Sequence, residues 1–174
     1  MIILIAGASH TGKTLLAQRL LEKYHYPYLS VDHLKMGLIR SGNTALTPMD
    51  DDRLTEYLWP IVREIIKTAI ENRQHLIVEG CYIPIDWKDS FSCEYLEHIR
   101  GYFLIMSEGY IADRYQDIIR YRRAIEDRLP GDAPTKEELI RENAHILRQC
   151  REQGCGYILI DDRYDIDLDS IAGI

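Results

Sequence analysis

Cysteine is sparse and unpatterned in this chain. Cys81, Cys93, Cys150 and Cys155 form no C-x-x-C pair and no ligand array with the six histidines, so spacing points to no metal cage and the expectation is reduced, structural thiols. Long apolar runs are absent as well. No stretch approaches the ~18 apolar residues of a membrane span, which argues against a membrane partner. The first apolar run is short and leads straight into a glycine-containing loop, too short for the core of a signal segment, and the expected location is cytoplasmic. Positive charge is in deficit: 21 Lys and Arg face 28 Asp and Glu, a net charge of −7. That balance counts against broad attraction to nucleic acid or to an anionic surface while leaving room for a local basic site. Phenylalanine is scarce, two against twelve tyrosines. There is no internal repeat and no low-complexity segment. With 46% apolar and 28% charged residues, residues 1–174 read as one globular domain with a core of ordinary size.

What is present is concentrated at the amino end. Gly7-Ala8-Ser9-His10-Thr11-Gly12-Lys13-Thr14 is a complete G-x-x-x-x-G-K-[ST] sequence. Met1–Ala6 before it is β-branched and apolar, as in a strand buried on both faces. Residues 15–23 after it have helical spacing, with Leu16 and Leu20 on one face. Strand, loop and helix together make the context in which this motif wraps phosphates. The glycines let the backbone curl into a nest of N–H donors, the helix end adds its positive dipole, and Lys13 adds a point charge for the outer phosphates. Thr14 offers a hydroxyl to Mg²⁺. His10 reads as a tolerated side chain within the loop. The expected ligands are ATP and Mg²⁺, and a guanine-binding N-K-x-D sequence is absent.

Further along, residues 28–31, 75–79, 101–106 and 156–160 read as strands separated by helical segments, the helix after residue 50 bending near Pro60 and residues 80–92 forming a loop. Thr135-Lys-Glu-Glu138 fits a capping box opening a helix that ends near Gly154. Alternation of this kind calls for a parallel sheet covered by helices on both faces, with ligands at the carboxyl ends of the strands. Asp32 follows the second strand. It can cap the next helix, and it can also accept the proton of an attacking hydroxyl. Glu79 ends the third strand, where a carboxylate supports a Mg²⁺ shell or touches the acceptor. Lys35 and Arg40 lie on the helix after Asp32 and are candidates for holding the acceptor, although Lys35 also suits an i,i+3 pair with Asp32. Tyr82 is a candidate pocket wall. Among the arginines after the fourth strand, Arg122 falls on the apolar stripe of Ile111, Tyr115, Ile118 and Ile125, and is the one expected to serve the transferred phosphate.

With those residues in place, the chain resembles the small P-loop kinases of the nucleoside monophosphate kinase-like group, which includes adenylate, shikimate, gluconate, chloramphenicol and zeta-toxin kinases. The resemblance implies a three-layer α/β fold with a five-stranded parallel sheet in the order 2-3-1-4-5. It also implies an acceptor region at about residues 33–72 and an arginine-bearing lid at about 113–134. Ser30-Val-Asp-His-Leu-Lys35 is similar to the T-G-D-x-L-R stretch of adenylate kinases, and Ile77–Tyr82 to their D-G-F-P-R stretch without its proline and arginine. Those departures favour a hydroxyl-bearing metabolite over AMP as acceptor, with Asp32 as base. A nucleoside monophosphate kinase, a regulatory ATPase and a kinase of nucleic acid or protein are the other readings, and the oligomeric state is left open.

Overall fold

The computed structural model describes residues 1–121 and 134–173. Strand β1 (Ile2–Gly7) is buried along its whole length, as an unbroken aliphatic run with both faces covered must be. It is the middle strand, paired in parallel with β3 (Leu76–Glu79) on one side and β4 (Ile99–Met106) on the other. Strand β2 (Tyr28–Ser30) flanks β3, and β5 (Tyr157–Ile160) flanks β4. The order is therefore β2-β3-β1-β4-β5, as the family resemblance implies.

Parallel pairing forces crossover connections, and helices cover both faces. Alternate residues of β1 feed two separate cores. Ile2 and Leu4 pack with Val62 and Ile66 of α3 (Asp51–Glu71), and with Trp87 and Phe91. Ile3 and Ile5 pack with Leu16 and Leu20 of α1 (Lys13–Tyr24) and with Ile111 and Ile118 of α5 (Glu108–Tyr121). Helix α6 (Lys136–Gln153) contributes to both, through Leu139 to the second core and Cys150 to the first. Its start carries the expected capping box: the Glu138 amide donates to Thr135 Oγ1 at 3.2 Å and the Thr135 amide donates to Glu138 Oε2 at 2.8 Å. Gly154 ends it in the left-handed conformation, φ 63°. A short α7 (Leu168–Ala172) closes the described chain.

Two local expectations are corrected. Helix α2 spans Val31–Arg40 with Ser30 at its N-cap, so Asp32 lies in the first turn and does not cap it. Its carboxylate is engaged by Lys35 instead. Within the stretch expected to be a loop, Trp87–Ser90 forms a 3₁₀ turn, followed by α4 (Cys93–Leu96). The turn is organised by apolar burial: the Trp87 and Phe91 rings meet at 6.3 Å, and Phe91 meets Trp59 of α3 at 6.1 Å. Helix α3 runs continuously through Pro60. All four cysteines are free, Cys81 and Cys93 exposed and the other two buried. Among the described residues no helix is long and apolar enough to cross a membrane.

Candidate active site

The loop between β1 and α1 has the shape its glycines permit. Gly7 leaves the strand at φ 126°, and a Cβ there would stand 2.3 Å from the Leu104 carbonyl oxygen. Gly12 has φ 84°, and a Cβ would stand 2.7 Å from the Tyr164 ring. Neither position admits a side chain. His10 between them is also left-handed, φ 67°. Left-handed residues alternating with ordinary ones turn successive amides toward one side, which makes an anion-binding concavity. The Ala8 carbonyl oxygen holds the loop together from within, accepting from Thr11 Oγ1 at 2.9 Å and from Lys13 Nζ at 2.6 Å. Helix α1 begins at Lys13, so its positive dipole end faces the same hollow.

Register brings Glu79 to this loop. Glu79 pairs with Ile5 across β1 and β3, and its carboxylate is 1% exposed. Thr14 Oγ1 donates to Glu79 Oε2 at 3.3 Å. A hydroxyl and a carboxylate converging beside a phosphate-binding loop are hard oxygen donors, and they fit Mg²⁺. Among the described residues no three His, Cys, Asp or Glu side chains gather into a cage. The donor set therefore suits a cation completed by phosphate oxygens and water.

On the β2 side a chain of side-chain contacts runs through three elements. Lys35 Nζ donates to Asp32 Oδ1 at 2.6 Å and to the Tyr82 hydroxyl at 3.0 Å. The Tyr82 hydroxyl in turn donates to Asp51 Oδ1 at 2.9 Å. Burial works against the Lys35 ammonium, but its bonds to Asp32 and Tyr82 outweigh that cost and hold its pKa above the ordinary value. Burial pushes the Tyr82 phenol up to about 12. From α6, the Glu142 carboxylate accepts the Ser9 backbone amide of the phosphate loop. Crowding by the surrounding protein raises its pKa, with Asp51 adding to the rise and the Ser9 amide and Lys13 opposing it.

A cavity of about 500 Å³ is lined by Asp32, Glu79, Lys13, Thr14, Arg19, Arg114 and Tyr164 among others. Tyr164, after β5, lies across the loop: its hydroxyl donates to the Gly12 carbonyl oxygen at 2.7 Å. The Arg19 guanidinium stands 5.5 Å from the centre of its ring. Burial raises the Tyr164 phenol well above its usual range.

The loop, Asp32 and Glu79 thus share one cavity. Lys35 and Tyr82 stand behind Asp32, bonded to it directly or through one another. Arg40, exposed at the end of α2, does not line the cavity. Arg122 lies outside the described residues. Sequence reading did not find Asp51, Glu142, Arg19 or Tyr164. Only Tyr164 carried a usable signal, its place just beyond a strand end.

No model of a known protein family matches the chain, and no curated protein does. Solved structures do. A sugar kinase from Janibacter sp. HTCC2649 is 14% identical with a TM-score of 0.55, the match covering 99% of this chain and 90% of that one. Shikimate kinase from Bacteroides thetaiotaomicron is 14% identical with a TM-score of 0.55, over 99% of this chain and 94% of that one. A candidate kinase from Chloroflexus aurantiacus is 19% identical with a TM-score of 0.52, covering 99% of this chain and 94% of that one. At these identities the likeness is one of fold, and the fold is that of the shikimate-kinase-like P-loop α/β proteins.

Proposed function

We propose that this chain is an ATP-dependent kinase that transfers the γ-phosphate to a hydroxyl of a small molecule. The observation that carries the reading is the meeting of Lys13, Thr14, Glu79 and Asp32 in one cavity. Loop amides and Lys13 bind the phosphates and neutralise the charge that spreads over the transferred group. Thr14 and Glu79 would hold Mg²⁺, which would supply positive charge to offset that of the phosphates. Asp32, which lines the same cavity as the loop, accepts or orients the proton of the attacking hydroxyl. Lys35 fixes the carboxylate through Oδ1, leaving Oδ2 for the acceptor. The nucleoside lies toward Arg19, Arg114 and Tyr164, cations and an aromatic ring that line the same cavity.

The test is Lys13→Ala in the purified full chain. Phosphoryl transfer to any accepted substrate should vanish while the fold, followed by circular dichroism, stays intact. Turnover at the original rate would show that this loop is not the site of the chemistry.

A further inference from the structure

Ser30 is buried, and its hydroxyl does none of the usual work of a serine in its place. The residue is 3% exposed, and Oγ has no hydrogen-bond partner among the described residues. It stands at the N-cap of α2 with φ −83° and ψ 119°, where a serine ordinarily accepts from an amide of the first turn. No such bond is made. A hydroxyl shut away from water without a partner is costly, so its position calls for a reason.

The surroundings supply one. Register pairs Ser30 with Glu79 across β2 and β3, and neighbouring strands lie about 4.8 Å apart with paired side chains on the same face. That face is the one covered by α1, since Ile5 and Ile77 pack there with Leu16 and Leu20. Gly80 lets the two strand ends close up: a Cβ there would stand 2.9 Å from Val31 Cβ, next to Ser30. Glu79 in turn accepts from Thr14 Oγ1 at the start of α1. Oxygen-bearing side chains from α1, β3 and β2 thus follow one another, and the last of them has its hydroxyl to spare.

Resting on the kinase reading above, we propose that Ser30 is a positioning residue of the Mg²⁺ site, its hydroxyl a third protein oxygen beside Thr14 and Glu79. Mg²⁺ gives up its waters reluctantly and keeps several when a protein holds it. Such a site needs acceptors for those waters as well as direct ligands, and losing an outer partner weakens metal binding. The Ser30 hydroxyl meets that need without adding charge next to Glu79, whose carboxylate is itself cut off from solvent. Ser30 takes no part in the bonds made and broken, and no proton leaves it.

The test uses the full chain with ATP and Mn²⁺, a spectroscopically visible stand-in for Mg²⁺. Electron paramagnetic resonance reads the Mn²⁺ affinity of the protein–ATP complex, calorimetry the affinity for ATP in EDTA, and urea unfolding the stability of the unliganded chain. Ser30→Ala should lower Mn²⁺ affinity about tenfold and leave ATP affinity in EDTA unchanged. The urea midpoint should stay level or rise, because the hydroxyl that is removed bonds nothing in the unliganded fold. A serine acting only as a cap would behave in the opposite way, with a lower midpoint and metal affinity untouched. Ser30→Gly also removes the hydroxyl but suits an N-cap, and it should match Ser30→Ala in metal affinity. Mn²⁺ affinity equal to the wild type in both variants would overturn the proposal. So would a lower urea midpoint in Ser30→Ala with ATP affinity in EDTA lost to the same extent as Mn²⁺ affinity. Failure of the wild type to bind ATP with Mn²⁺ would remove the kinase reading and this proposal together. Intact wild-type binding beside indifferent variants leaves the kinase standing without Ser30.

Discussion

In the proposed kinase, Asp32 is one side chain that serves position and chemistry together. It sits in the first turn of α2, where a carboxylate is favoured by the helix dipole, and Lys35 holds it at 2.6 Å. Substitution by asparagine keeps the shape and removes proton acceptance. Asp32→Asn should lower kcat by about 10²–10⁴-fold with ATP affinity maintained, as read by steady-state kinetics beside calorimetry. Equal losses in both would reduce Asp32 to a structural role. The residue and its place after β2 were legible in the sequence, because strand ends in a parallel sheet face the ligand. Its partnership with Lys35 was legible as an i,i+3 spacing. The continuation to Tyr82 and Asp51 was not, since those residues stand 47 and 31 positions from their partners, and no local rule links them.

Among the elements, α6 was readable at both ends. A reciprocal Thr135–Glu138 pair opens it and a left-handed Gly154 closes it, and both signals act within a few residues of the chain. Thr135→Ala removes the side-chain acceptor for the Glu138 amide and should cost about 1 kcal/mol of stability. Urea unfolding would show this as a lower midpoint with the slope unchanged; an unmoved midpoint would mean that the cap adds nothing. The 3₁₀ turn at Trp87–Ser90 was not readable. It owes its form to Phe91 packing against Trp59 on α3 and against Trp87, and burial against a distant helix overrides local propensity.

For the whole molecule, the phosphate loop is tied to the rest of the structure at several points: Gly7 against β4, Gly12 beneath Tyr164, Ser9 to Glu142 on α6, and Thr14 to Glu79 on β3. A nucleotide that engages the loop should therefore stabilise the folded chain as a unit. With ATP and Mg²⁺ at ~100 times the dissociation constant, linkage gives about 2.7 kcal/mol. That is a rise of several degrees in Tm for a domain of this size, measured by thermal unfolding with and without nucleotide. An unchanged Tm would show that the folded state does not bind it. The sequence by itself determined the strand–loop–helix with its phosphate-loop motif, the alternation that demands a parallel sheet, and the carboxylates at two strand ends, because each depends on neighbours a few residues apart. Only the tertiary structure decided that Asp51 accepts from Tyr82, that Glu142 accepts the Ser9 amide, that Tyr164 covers Gly12, and that Lys35 bridges Asp32 and Tyr82. Those contacts join residues far apart in the chain, and they exist only once both faces of the sheet have been packed.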